Sequence, residues 1–344
     1  MFSLNIFCDK IFADRIGASI PAADIPYVET SDEEALPKKP VVSVRIVTYN
    51  HEKFIRECID SVLSQKTDFD FEIVIGEDCS QDKTREICFE YQKKHPDKIR
   101  VIWWHENVSK LGGNGRRTIA HCRGEYVAFL EGDDYWTDPL KLQKQVDLIR
   151  ATSSIGCVAN YATLYLSGQL KESKYKSNGF VTHHDLAKFY PHTATYVMRR
   201  DFLENRERLY PKIHVWYDVV LMHCLVETGQ VAHLQDVVSV YRLTGNGIAT
   251  SLSGQEKQIL AIKQYLDLYL HGPKSCHRRF GSQVMTYIAY FFNHTTSGWS
   301  KEFTNKYAGD FKHAFWTIYR RQPFDLRTIR ALMRYLRFRV GMTK

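Results

Sequence analysis

No stretch of this 344-residue chain approaches the apolar length needed to cross a bilayer. The first segment, Met1 to Ile20, is interrupted by Asp9, Lys10, Asp14 and Arg15 and has no clean signal-peptide core, so a cytoplasmic protein is expected. The eight cysteines lie far apart and never as Cys-x-x-Cys, which argues against a zinc ribbon or disulfide framework and fits a reducing compartment. The glycosylation-type triplets at Asn107 and Asn293 then carry no weight. There is no internal repeat and no low-complexity tract. Nor does the bulk of the chain have a net charge. Phe311 to Lys344 holds nine Lys/Arg against one acid, Asp325, while the other 310 residues hold 38 bases and 38 acids. A nucleic-acid partner is therefore not expected.

What is present is a regular alternation of strand and helix patterns. Val41 to Thr48 reads as a strand with Val42, Val44 and Ile46 alternating. Tyr49-Asn50 turns into a helix over His51 to Gln65, with Asn50 as its cap and Phe54, Ile55, Cys58, Ile59, Val62 and Leu63 on one face. Strands are expected at Phe71 to Ile75, Ile99 to Trp103, Tyr126 to Leu130 and Gly156 to Tyr161, with helices after Asp82, Gly113 and Pro139. His192 to Arg199 and Val237 to Tyr241 read as further strands, and Asp218 to Gly229 as a helix stopped by glycine. This order predicts an α/β fold built on a mostly parallel sheet with helices on both faces. From Gln255 onward only helical spacing remains, ending in a two-sided helix. On it Leu326, Ile329, Met333, Leu336 and Val340 adjoin Arg327, Arg330, Arg334 and Arg337.

The segment around which the chain is organised is Glu125-Tyr-Val-Ala-Phe-Leu-Glu-Gly-Asp-Asp-Tyr-Trp136. A buried apolar strand runs directly into Glu131, Asp133 and Asp134, which places three acids at the carboxyl edge of a sheet, where open α/β sheets bind ligands. Such close carboxylates repel one another unless something positive joins them. A hard divalent cation that also meets substrate phosphates is the usual solution.

Four pieces in order resemble the family 2 glycosyltransferases of GT-A fold. They are Val44-Arg-Ile-Val-Thr-Tyr-Asn-His51, Ser61-Val-Leu-Ser-Gln65, Glu72-Ile-Val-Ile-Gly-Glu-Asp-Cys-Ser-Gln-Asp-Lys-Thr84 and Gly124 to Trp136. The resemblance runs well from 41 to about 150 and fades toward about 250. It implies a GT-A catalytic domain over 41–250, with a nucleotide-sugar half at 41–135 and an acceptor half at 136–250. Residues 1–40 are expected to be an extension and linker, and 251–344 a helical C-terminal region. It further implies a nucleotide-sugar donor, a glycan or lipid-linked acceptor, a divalent metal (Mn²⁺ or Mg²⁺), inversion at the sugar, and a role in envelope polysaccharide synthesis.

By position, Thr48 and Asn50 would seat the nucleotide base, Asp78 would contact base or ribose, and Asn114 and Arg117 would lie on the donor side. For those last two, a helix cap and a surface arginine are an equal reading. Glu131-Gly-Asp133 stands at the family's Asp-x-Asp motif with Glu replacing the first Asp; Asp133 and Asp134 are the expected metal ligands. Asp218, in Trp216-Tyr-Asp-Val-Val-Leu221, is the expected general base, with a helix-capping aspartate as the bland alternative and Asp185 and Glu204 as weaker candidates. Here the Trp precedes the Asp and Thr244 stands where a His is common. His192-Thr-Ala-Thr195 resembles the acceptor-side strand, and a plain core strand explains it nearly as well.

The helix over 325–340 could lie on an anionic membrane surface, or pack its arginines toward water or another protein. Two rivals to the transferase are a sugar-1-phosphate nucleotidyltransferase, which would carry a Gly-rich loop after the first strand, and a non-catalytic membrane-associated scaffold that keeps the fold.

Overall fold

The computed structural model describes residues 26–109, 113–210, 213, 218–245, and, in the C-terminal region, 264–266, 268–272, 277, 280–281, 283–286, 315–316 and 318–320. The elements in order are β1 (Tyr27–Thr30), β2 (Val42–Thr48), α1 (Ile55–Leu63), β3 (Phe71–Glu77), α2 (Thr84–Lys94), β4 (Ile99–Trp104) and α3 (Asn114–Ala120). There follow β5 (Tyr126–Glu131), β6 (Tyr135–Trp136), α4 (Lys141–Thr152), β7 (Gly156–Leu164), β8 (Leu170–Ser173), β9 (Val197–Arg199), α5 (Arg200–Leu209), α6 (Asp218–Thr228) and β10 (Val231–Arg242). Chain contacts divide the molecule into two units. One comprises Ile16–Pro211 and Leu225–Gly245; the other comprises Met1–Arg15, Lys212–Cys224 and Asn246–Lys344.

In the first unit the strands form one ten-stranded sheet in the order β1-β4-β3-β2-β5-β9-β7-β10-β6, with β8 paired to β7. β4, β3, β2 and β5 run parallel, as do β7 and β10. The two parallel blocks are joined through β9, which is antiparallel to both β5 and β7. The central strands are buried on both faces: Val42, Val44, Ile46, Ile73, Ile75, Ala128 and Leu130 are fully inaccessible or nearly so. That is why β3 and β5, with Val74, Val127 and Phe129 also buried, read as near-continuous apolar runs, whereas β2 alternates, its other face burying Ser43 and Arg45. Helix α1 adds Ile55, Cys58, Ile59 and Val62, the face predicted for it, to the same core.

Several elements differ from expectation for identifiable reasons. Residues 26–40 are not only linker: Tyr27–Thr30 pairs antiparallel with Thr30 opposite Val101 and Tyr27 opposite Trp104. Arg100 fixes this edge by donating to Glu29 at 2.8 Å. Asn50 does not cap α1, which begins at Ile55 with Phe54 in the cap position and no side-chain cap. The Asn50 carboxamide is taken by another loop, as described below. The strand expected over His192 to Arg199 is shorter: Thr193–Thr195 is a single 3-10 turn, and only Val197–Arg199 pairs. The last strand is longer than Val237 to Tyr241, because the exposed pair Gln235-Asp236 sits at a register shift between Leu234 and Val237 and breaks the apolar pattern.

In the second unit the described residues between 264 and 320 are helical apart from a bend at Gly272, with Leu266, Leu268, Tyr269, Phe280, Val284, Met285, Phe315 and Ile318 buried. The tail over 325–340, read as a basic amphipathic helix, lies outside the described residues.

Candidate functional site

The sheet register brings the key positions to one edge. Thr48 at the end of β2 lies opposite Glu77 at the end of β3, and Val47 lies opposite Glu131 at the end of β5. Strand β10 adds a fourth end, since Arg242 lies opposite Leu164 in a parallel pairing with β7. The residues just beyond these strands, at 48–51, 78–84, 131–134 and 242, therefore share the carboxyl edge.

Each acid of the 131–134 turn has a separate set of partners. Glu131 accepts from Arg45 Nη2 at 3.1 Å through Oε1 and from Thr193 Oγ1 at 2.7 Å through Oε2. Arg45 is itself buried, with its guanidinium 4.5 Å above the Phe129 ring, and burial draws its pKa below the ordinary arginine value. Asp133 faces His51, with Nε2 3.9 Å from Oδ2. Asp134 is almost fully buried; its Oδ1 accepts the Arg242 amide at 2.8 Å, and its Oδ2 lies 3.8 Å from His192 Nδ1. Burial, together with the negative charges of Asp133 and Glu131, raises the Asp134 carboxyl well above the usual carboxylate range. Burial likewise raises Asp133 and lowers His51. His192, stacked on Tyr241 with ring centroids 4.2 Å apart, is drawn down to about 4 by burial and is neutral at physiological pH.

A turn this tight needs Gly132. A Cβ there would stand 2.6 Å from Thr48 Oγ1 and 2.8 Å from His51 Nδ1, two groups that are themselves 3.2 Å apart. The Gly132 amide is anchored on Val47 O at 2.8 Å.

Asp133 and Asp134 are the metal pair expected from sequence. Of these, Asp134 groups with Glu131 and His192, each offering one ligand atom, and these atoms all lie within 4.8 Å of one another. Asp133 stands beside this group on the His51 side. Two carboxylates and a neutral imidazole form a mixed O/N donor set that suits Mn²⁺ or a similar ion, and a cation there would offset the burial and the neighbouring negative charges that raise Asp134. The residues present thus fit a divalent ion.

The remaining expected site residues are held mainly by main-chain contacts. Asp78 is fully buried, and its carboxylate accepts the amides of Val108 at 2.6 Å and Ser109 at 3.0 Å, as well as the Ser109 hydroxyl. Burial raises its pKa while these hydrogen bonds oppose the rise. Asn50 adopts a left-handed conformation (φ 54°), and its Oδ1 accepts the Gln81 amide at 2.8 Å, so it ties the 49–52 turn to the 78–84 loop. Glu52 and Asp82 repeat the tie: Lys83 N donates to Glu52 and Glu52 N to Asp82, both at 3.1 Å. Asn114 is buried at the start of α3 and donates to Gly76 O at 2.7 Å. Arg117, one turn on, is buried rather than a surface arginine, and burial lowers its pKa. Asp218 begins α6 in the second unit and accepts the Val219 amide at 2.8 Å.

Sequence reasoning did not single out His192, Arg45 or Arg242 for the cluster. Arg242 donates to Asp133 O at 2.9 Å, pairs with Glu57, and lies 4.4 Å from the centre of the Tyr135 ring.

Comparisons with known proteins bear on the family and the fold. The model of the family described as "Glycosyl transferase family 2" matches residues 43–212. An uncharacterized glycosyltransferase of Nostoc is 30% identical over 67% of this chain and 74% of its own. TuaG of Bacillus subtilis, whose name assigns it to teichuronic acid biosynthesis as a glycosyltransferase, is 28% identical over 62% of this chain and 83% of its own. An uncharacterized protein of Mycobacterium tuberculosis is 31% identical over 214 residues, and the chain spans 60% of its length. Among solved structures, Staphylococcus aureus TarS 1-349 in complex with UDP-GlcNAc superposes with a TM-score of 0.61 at 19% identity, covering 87% of this chain and 92% of that one. The expected GT-A architecture is thus the fold observed.

Proposed function

The chain belongs to glycosyl transferase family 2, and from that premise we propose that it moves a sugar from a nucleotide-sugar donor to a hydroxyl of a glycan or lipid-linked acceptor. The transfer proceeds with inversion and serves envelope polysaccharide synthesis, in the cytoplasm at the inner face of the membrane. The envelope role draws support from the naming of TuaG. The single observation that carries the reading is the convergence of Glu131, Asp134 and His192 within 4.8 Å at the carboxyl edge of the sheet.

A divalent ion held by these three residues would neutralise the charge of the departing diphosphate as a Lewis acid. The chain's own residues do the rest. Arg45 and Thr193 hold Glu131 from both sides, so its carboxylate keeps one orientation. The Arg242 amide does the same for Asp134, and His192, neutral and with Nδ1 accepting the Ala194 amide at 3.3 Å, brings no competing positive charge. Asp133, next to His51, adds negative charge at the rim. Thr48, Asn50 and Asp78 shape the nucleoside side, with Asp78 acting by clamping the 108–109 amides. Asn114 and Arg117 supply the donor side. Asp218 takes the proton of the acceptor hydroxyl, a role that rests on its place in the sequence.

The test is nucleotide-sugar binding with and without Mn²⁺ in the wild type and in Asp134→Asn. Metal-dependent binding in the wild type that disappears in the variant supports the reading. Equal binding by both proteins, with or without metal, removes the cluster from the donor site.

A further inference from the structure

Large apolar side chains that stand exposed are not spread evenly over the described residues. Three of the seven, Tyr165, Leu166 and Leu170, fall within six consecutive positions, at 38%, 77% and 55% exposure. They form the tip of the hairpin that joins β7 to β8. The tip is an ordered turn: the Tyr165 amide donates to Gln169 O and the Gly168 amide to Tyr165 O, both at 2.9 Å, with Gly168 at φ +80°. Its backbone is therefore paired within itself while its apolar side chains face outward. Single exposed leucines need no explanation, but an apolar cluster at the end of a projecting hairpin does.

The position of the hairpin matters as much as its composition. Leu243 N donates to Leu164 O at 3.0 Å, one residue beyond Arg242, whose amide holds Asp134. The finger therefore leaves the sheet at the edge that carries the carboxylate cluster. The outgoing arm, 170–176, carries three lysines against one acid, Glu172. Lys171, Lys174 and Lys176 are exposed; Lys174 pairs with Glu172 at 2.5 Å, and no ion pair is formed by Lys171 or Lys176 among the described residues.

We propose that the hairpin Leu164–Lys176 is a membrane-contact finger, which inserts Tyr165, Leu166 and Leu170 into the headgroup region of an anionic bilayer and brings the carboxyl edge of the sheet to the lipid surface. Two leucines and a tyrosine beside unpaired lysines match that environment, in which apolar side chains enter the interface, tyrosine sits at headgroup level and lysine meets anionic phosphate. A second copy of the chain is a poorer occupant. A stable interface removes roughly 800 Å² from each partner, well beyond what three side chains at a hairpin tip can offer. The inference rests on the proposed membrane-side acceptor and makes this finger, independently of the C-terminal tail, the device that presents the site to it.

The experiment uses the full chain and vesicles of phosphatidylglycerol and phosphatidylethanolamine, with phosphatidylcholine vesicles as control. Co-sedimentation at low salt should favour the anionic vesicles, and the double change Leu166→Ser, Leu170→Ser should weaken binding by about tenfold or more. All positions changed are exposed, and unchanged thermal melting confirms that the variant folds. In a second arm, Leu166→Trp should gain fluorescence quenching by brominated lipid relative to the wild type. Wild-type protein that ignores anionic vesicles, a serine variant that binds them undiminished, or no added quenching in Leu166→Trp would each overturn the proposal. So would a serine variant whose only change is its sedimentation as a monomer instead of a dimer, since the occupant would then be a second copy. Nucleotide-sugar binding in vesicle-free buffer tests the transferase reading by itself, so failure of one is distinguishable from failure of the other.

Discussion

The main-chain amide of Arg242 donates to Oδ1 of Asp134 at 2.8 Å, across 108 residues of sequence. The last strand of the sheet thereby closes over the turn that ends the fourth parallel strand, and the most buried acid of the cluster is oriented by backbone rather than by another side chain. Its other oxygen faces His192 at 3.8 Å. This arrangement leads to several expectations.

Asp134→Ala should do more than remove a ligand. It leaves the Arg242 amide, now buried without an acceptor, at a cost of about 1–3 kcal/mol. A lower melting temperature together with lost metal-dependent donor binding is expected, whereas Asp134→Asn, which can still accept from the amide, should keep most of the stability and lose the binding. Parallel thermal melts and titrations of both variants check this.

Gly132→Ala places a methyl group within 2.6 Å of Thr48 Oγ1 and 2.8 Å of His51 Nδ1. Relief requires the turn or both side chains to shift, an overpacking cost of about 1–3 kcal/mol. The expected outcome is a soluble but less stable protein whose Mn²⁺ and donor affinities both fall. Wild-type affinities in this variant would show that the turn is not part of the site.

Lys141 is fully buried at the start of α4, with Nζ 4.1 Å from the centre of the Trp136 ring and no hydrogen-bond partner among the described residues. Burial draws its pKa down to about 7. Between pH 7 and the ordinary lysine pKa near 10.4 the unfolded chain binds a proton that the folded chain does not, so stability rises with pH across that window and the penalty is largest at and below pH 7. Lys141→Met should therefore raise stability near neutrality by a few kcal/mol at most, on the order set by linkage. The gain should shrink toward pH 10. Melting curves of both proteins across pH 7 to 10 test the sign; a gain independent of pH would mean that the lysine is not titrating there.

Arg45→Leu removes the donor to Glu131 at 3.1 Å and the cation over Phe129 at 4.5 Å. Among the described residues, the Glu131 carboxylate then keeps only the Thr193 hydroxyl as a donor. The variant should fold with reduced stability and bind Mn²⁺ more weakly, since the carboxylate is no longer held in one orientation. Arg45→Lys should restore part of the charge but not the planar stacking. Ranking the three proteins by Mn²⁺ affinity is the check: wild type first, lysine next, leucine last.

How much of this was legible in the sequence depends on where the restraint comes from. The central strands announce themselves, β3 and β5 as near-continuous apolar runs and β2 by the alternation of Val42, Val44 and Ile46, and the acids at the end of β5 follow directly from them. His192 was hidden because its importance comes from stacking on Tyr241 and from facing Asp134, two contacts that no local pattern encodes. Asn50 illustrates the opposite error: its residue type suits a helix cap, but the Gln81 amide of a separate loop claims its side chain. Tyr27–Thr30 was missed because an edge strand of four residues, none of them fully buried, has no periodicity to read. The first half of β10 was masked by Gln235-Asp236 at its register shift.

The measurement that bears most directly on the central claim is a thermal-shift comparison of nucleotide sugars and nucleoside diphosphates, each with Mn²⁺ and with chelator. A ligand at about one hundred times its dissociation constant adds roughly 2.7 kcal/mol to the stability of the folded state. The account predicts a shift with one nucleotide class that requires the metal and is lost in Asp134→Asn. No shift with any nucleotide in the presence of Mn²⁺, or a shift of equal size with chelator and in the variant, would contradict it.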